Sequence, residues 1–214
     1  MEFYHVLNRG VDKRDIFLEE RDYFRFVHNL FEFNDQKNII NNFFYFEKGQ
    51  ETMGLRNPYK RNLLVDIHAF CLMPNHYHLL LQPKMDNGIS LFMRKVNTGY
   101  ANYFNKKYSR SGALFQGRYK SVLMERDDQF MYIVYYIHLN PLDLKFPEWR
   151  EGKIKDFKKA MDFLNSYRWS SHLDFIGQKN FPSVTKRDYM INTFGGRDRY
   201  IRDTEEKIMG LRNP

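Results

Sequence analysis

Residues 2–7 alternate apolar and polar side chains, the period of a strand, and Asn8-Arg9-Gly10 then turns the chain. Over residues 19–33, Tyr23, Phe26, Val27 and Leu30 recur at helical spacing and predict a helix. Residues 39–46 are aromatic and branched and predict a strand; 49–62 read as a polar loop. Two strands follow at 63–72 and 76–82, joined at the turn signal Met73-Pro74-Asn75. Residues 90–108 predict a helix with Ser90 as its cap, broken by SRSG at 109–112. A strand is expected at 119–124. A helix is expected at 127–139, capped by Asp127 or Asp128 and stopped by Pro141. Strands and helices in this order predict an α+β sandwich with an antiparallel sheet. The rest reads as helical at 157–167, 186–194 and 199–209, the last helix charged and loosely attached.

Composition narrows the picture. The 214 residues suit one domain, or one domain with an appendage, and 20 Phe and 15 Tyr supply a substantial core. No stretch approaches the roughly 20 apolar residues that span a bilayer. The start, MEFYHVLNRG, lacks the basic and apolar blocks of a secretory signal, and the single cysteine, Cys71, fits a reducing compartment. The expected location is cytoplasmic. The net charge of +8 favours polyanionic partners. Between Asn87 and Met124 there is no Asp or Glu, while Lys106, Lys107, Arg110, Arg118 and Lys120 alternate with Phe92, Tyr100, Tyr103, Phe104, Tyr108, Phe115 and Tyr119. Basic groups neutralise phosphates and aromatic faces stack on unpaired bases, so the window reads as a nucleic-acid surface. The alternative is an ordinary basic helix whose aromatics face the core.

Candidate chemistry starts at HYHLLLQP. On a strand, positions i and i+2 share a face, so His76 and His78 project together with Tyr77 behind them. Two neutral imidazoles so placed can share a metal ion, or they can be a packed core pair. A third ligand is available on FMYIVYYIHLNP, where Tyr132, Tyr136 and Asn140 recur every four residues and share one stripe. Phe130, Val134 and Ile137 form an apolar stripe for the sheet. Tyr136 would then offer a phenol, and Asn140 a carbonyl oxygen. Alternatively, Tyr135 and Tyr136 pack and Asn140 only ends the helix before Pro141. His5 and His68 read as structural, Trp149 and Trp169 as core or docking residues, and Arg9 and Arg14 as weaker phosphate contacts. The hexapeptide MGLRNP occurs at 53–58 and again at 209–214, without matching flanks.

Taken together, YHVLNRG, HAFCLMPNHYHLLLQP, YANYFNKKYSRSGALFQGRYKSVLMERD, YIVYYIHLNPL and YRWSSHLDFIG resemble the REP-associated tyrosine transposases, within the HUH (histidine, hydrophobic, histidine) class of single-strand transposases. The resemblance covers residues 3–177 and implies a catalytic domain over 1–177 with a helical C-terminal extension over 178–214. It implies a ferredoxin-like sandwich with His76 and His78 on a central strand. Counting back from Asn140-Pro141, the family's nucleophile falls on Tyr136, and Asn140 completes a site for Mg²⁺ or Mn²⁺. Other members of the wider class carry Gln there, and a shift of one residue would exchange Tyr136 for Tyr135 and bring His138 toward the metal.

The implied activity is cleavage and rejoining of single-stranded DNA, as hairpins of palindromic repeats, through a 5′-phosphotyrosine and a free 3′-hydroxyl. The implied setting is the nucleoid, with the protein a monomer or a homodimer. Two rivals remain open. One is a DNA-binding regulator derived from a transposase that cleaves nothing; the other is a metal-dependent phosphodiesterase using water.

Overall fold

The computed structural model of the chain describes residues 2–37 and 61–210. Strand β1 (Tyr4–Arg9) precedes α1 (Glu20–Glu32), and β2 (Val65–Met73) and β3 (His76–Pro83) form a hairpin. Helix α2 (Gly88–Lys107), β4 (Lys120–Leu123) and α3 (Asp127–Leu139) follow. Helices α4 (Phe157–Ser166), α5 (His172–Phe175), α6 (Arg187–Thr193) and α7 (Arg197–Ile208) come last. The described strands make one antiparallel sheet in the order β2-β3-β1-β4. This is the expected ferredoxin-like α+β sandwich, with the histidine strand β3 inside the sheet. The strand expected at 39–46, most of the loop expected at 49–62 and most of both MGLRNP copies lie outside the described residues. No helix among the described residues is long and apolar enough to cross a membrane.

Helices cover the sheet on both faces, and the strand period assigns side chains to two cores. Tyr77, Leu79 and Leu81 of β3 enter one core with Phe26 and Leu30 of α1 and Phe92, Val96, Tyr100 and Phe104 of α2. Leu80 enters the other with Val134 and Ile137 of α3 and with Met190, Phe194, Tyr200 and Ile208. Strand β2 is buried throughout because both faces are covered. Its phase changes midway: Val65 and Ile67 face the first core, yet so do Phe70 and Leu72. A register shift between Ile67 and Ala69 explains this, since one extra residue in a strand exchanges its faces.

Asp22 joins α1 to α2. It is fully buried and accepts from the backbone N–H groups of Leu18 (2.9 Å) and Glu19 (3.2 Å), where it forms a capping box with Glu19. Tyr103 (3.0 Å), Lys107 (2.5 Å) and Tyr108 (2.7 Å), at the C-terminal end of α2, donate to the same carboxylate.

Three local expectations are corrected. Helix α2 begins before Ser90, after Asn87 in a left-handed conformation (φ 58°), and the Ser90 hydroxyl pairs instead with Tyr119 at 3.1 Å. Helix α3 is entered through Arg126, whose side chain makes no capping bond; Asp128 turns back to that arginine at 2.7 Å. Helix α7 is not loosely attached, because Tyr200, Thr204 and Ile208 are buried along one stripe.

Candidate active site

His76 and His78 leave the β2–β3 turn on the face opposite Tyr77. Their rings lie 4.9 Å apart between centroids and nearly perpendicular, at 84°. The His76 Nδ1–H donates to Oδ1 of Asn75 at 2.6 Å, which leaves Nε2 with a free lone pair. His5 arrives from β1, where it stands opposite Leu80, and its Nε2 lies 2.8 Å from Nδ1 of His78. If His78 donates that hydrogen, its Nε2 is likewise free. Burial pushes His5 and His76 down to about 4, with Arg9 adding to the effect at His76. Burial, then the neighbouring His5 and His76, puts His78 well below the ordinary value. All three imidazoles are therefore neutral at pH 7, the form that ligates metals.

Helix α3 crosses this face. Val134 and Ile137 pack against the sheet, which turns the stripe of Tyr132, Tyr136 and Asn140 toward the histidines. The Tyr136 ring is half-buried and stands edge-on to His78 (5.6 Å, 89°) and His5 (5.8 Å, 78°). Asn140 closes the helix, and its Nδ2 donates to the Tyr136 carbonyl at 2.6 Å, so its Oδ1 remains an acceptor.

Tyr135 faces away: it stacks on Tyr200 (5.4 Å, 14°) and its hydroxyl donates to Asp203 at 3.2 Å. His138 is buried behind the helix, bonded to the Tyr200 hydroxyl and to Ser171 Oγ, both at 2.7 Å. Among the described residues no three His, Cys, Asp or Glu side chains converge as a metal cage. The available donor set is two imidazole nitrogens and the amide oxygen of Asn140, with Asn75 and His5 orienting the rings as outer partners do in metal sites.

Two residues of this cluster escaped the sequence reading. His5, read as structural, sits against His78, and only the β1–β3 register brings it there. Arg150 comes from a short 3-10 turn (Pro147–Glu151), and its guanidinium lies 5.4 Å from the centre of the Tyr136 ring. Asp143 holds it through Nε (2.9 Å) and Nη2 (2.6 Å), and Nη2 also reaches Oδ1 of Asn140 at 3.3 Å. Nothing local marked Arg150.

The basic candidates separate. Helix α2 lies on the sheet face opposite the histidines, so Lys106, exposed in its last turn, is on the far layer. Lys107 is a correction: Asp22 and Glu19 (2.6 Å) hold its ammonium, so it is not available as expected. Arg110, half-buried, lies over the Phe104 ring at 5.6 Å. Phe92, Tyr100, Phe104 and Phe115 are core residues, closed to bases. Arg118 is exposed in the turn leading to β4. Lys120 stands opposite Leu7 on the histidine face, and Arg9 opposite His76. A cleft lined by Val122, Met124, Gln129 and Tyr132 opens between β4 and α3 beside them.

The fold agrees with that of a known protein. The chain is similar to the solved structure of a REP-associated tyrosine transposase bound to a REP hairpin, with a TM-score of 0.50 at 12% identity, over 85% of this chain and 82% of that one. No curated protein matches it. The family model "Transposase IS200 like" matches residues 28–140, a span that holds His76, His78, Tyr136 and Asn140. With just over half its length matched, the chain belongs to the IS200-like transposase family.

Proposed function

We propose that this transposase cleaves and rejoins single-stranded DNA through Tyr136, with Mg²⁺ or Mn²⁺ held by His76, His78 and Asn140. The observation that supports the reading is the Tyr136 ring set edge-on against His78, in a face of three neutral imidazoles. The bound cation would polarise a non-bridging oxygen of the scissile phosphate. Tyr136 Oη bonds to phosphorus as the P–O3′ bond breaks. The phenol proton passes to solvent, and the departing 3′-oxygen takes one from solvent. The product is a 5′-phosphotyrosine and a 3′-hydroxyl, and the ester retained on Tyr136 lets that hydroxyl rejoin a strand.

Arg9 and Lys120 border the histidine face and would meet backbone phosphates on either side of the cut, and Arg118, exposed in the turn before β4, would meet the same strand further along. Lys106 and Arg110 would meet a more distant part of the nucleic acid. The structurally similar transposase is bound to a REP hairpin; by analogy of fold, hairpins of palindromic repeats are the substrate proposed here.

Labelled single-stranded hairpins incubated with protein and Mn²⁺ or Mg²⁺, then run on a denaturing gel, test this. The expected result is a labelled band at protein mass. It disappears with Tyr136→Phe and with chelator and persists with Tyr135→Phe. Cleavage without an adduct points to water as nucleophile. Retarded migration on a native gel with neither cleavage nor adduct identifies a DNA-binding regulator.

A further inference from the structure

We propose that Arg150 is a catalytic residue of this site, whose guanidinium contacts the scissile phosphate while its plane is fixed by Asp143. The proposal rests on the assignment of Tyr136 as nucleophile and adds to it the positive group that the reaction needs. Attack on a phosphodiester crowds negative charge onto the non-bridging oxygens. A fixed donor aimed at that charge lowers the barrier more than a freely moving one.

Arg150 meets the geometric conditions. Its Cζ is 5.4 Å from the Tyr136 ring centre, and its Nη2 reaches the Asn140 oxygen, so it borders both nucleophile and metal donors. Its Nε and Nη2 are engaged by Asp143 and Asn140, whereas Nη1 has no hydrogen-bond partner among the described residues. That leaves a preset N–H edge. The side chain is 40% exposed, so a strand can reach it.

Asp143 acts as a positioning residue. Its Oδ1 also accepts from the Trp149 indole at 2.7 Å, and the Arg150 guanidinium stacks 4.7 Å from that ring. One carboxylate thus fixes both neighbours of the turn. A bidentate arginine held in this way has lost its freedom before the substrate arrives. The chemistry is the transesterification given above, with the same bonds made and broken; Arg150 exchanges no proton.

Single-turnover adduct formation at saturating labelled strand tests it, comparing wild type, Arg150→Ala and Arg150→Lys with and without added guanidinium ion. Thermal melts and strand affinities are measured in parallel. The expected result is a loss of about 100-fold in adduct rate for both variants, the cost of removing one preorganised donor, with strand affinity within about 3-fold. Free guanidinium should restore Arg150→Ala, where it has room, and not Arg150→Lys. A wild-type rate in Arg150→Ala overturns the proposal. So does a loss that guanidinium does not relieve in a variant melting like wild type.

Should Arg150→Ala melt early, Asp143→Asn is read instead. A slowed adduct rate with unchanged strand affinity supports the anchored-arginine assignment, and an unaltered rate overturns it. Wild type that forms no adduct overturns the nucleophile assignment too, whereas adduct formed equally by wild type and Arg150→Ala overturns this one alone.

Discussion

His5 shows how a single side chain acquires a role from a neighbour it meets across the sheet. Its Nε2 lies 2.8 Å from Nδ1 of His78, and when it accepts the hydrogen of that ring, Nε2 of His78 is left free. Replacing it by Phe keeps a planar ring of similar reach and removes the nitrogen. The expected outcome is a fall of about 10-fold or more in Mn²⁺ affinity, the usual effect of losing an outer partner of a ligating imidazole, followed by spin-resonance titration of free Mn²⁺. An unchanged affinity would make His5 a packing residue only. At this scale the sequence is informative where the period of one element suffices. His76 and His78 share a face by the two-residue period, and Tyr132, Tyr136 and Asn140 by the helical one. It is silent on His5 and Arg150, because strand register and a turn beyond Pro141 bring them in, and neither leaves a local pattern.

Elements are joined by contacts that a charge profile along the chain cannot reveal. The acid-free stretch from Asn87 to Met124 reads as a free basic surface, yet Asp22, 85 residues before Lys107, supplies the missing carboxylate. Helix caps fail for a related reason: Ser90 and Asp128 have suitable side chains, but their helices begin elsewhere and each finds another partner. The Asp22 junction makes a prediction about acid. Burial alone would raise its carboxyl, but donation from Lys107 and Tyr108 and from the backbone N–H groups of Leu18 and Glu19 prevails and holds it below the ordinary value. A carboxyl with a lower value folded than unfolded adds stability above the unfolded value and loses it as the pH falls. Stability should therefore decline as pH drops below about 4, and an Asp22→Asn variant should lose much of that dependence. The same variant should be destabilised at pH 7 by about 3 kcal/mol, since it leaves Lys107 and two phenols facing an uncharged group. Urea unfolding of both proteins across pH 3–7 is the measurement, and parallel curves would remove Asp22 from the account.

At the scale of the whole molecule, the segment after Gly177 belongs to the same packed body as α3. Helix α7 looked detachable because its charged residues dominate, but Tyr200, Thr204 and Ile208 recur every four residues and form its buried stripe. Through that stripe it braces α3 from behind. The Tyr200 hydroxyl lies between His138 (2.7 Å) and His172 (2.8 Å), Tyr135 bonds Asp203, and Lys207 lies over the rings of Tyr132 and Tyr135. The end of α7 also touches the turn that carries Arg150, where a Cβ on Gly152 would fall 2.9 Å from the Cα of Gly210. Met190, Phe194, Tyr200 and Ile208 together bury four large side chains in the core beneath α3. At roughly 1.5–3 kcal/mol each, their sum is about 6–12 kcal/mol, comparable to the roughly 5–15 kcal/mol that holds a domain folded. A fragment ending at 177 should therefore lack a cooperative calorimetric melt and bind hydrophobic dyes. If it melts cooperatively within a few degrees of the full chain, the tail is an appendage and the bracing argument fails. If it does not, the Tyr136 helix depends on residues well outside the span 28–140 that carries the family match, and the site cannot be transplanted with that span alone.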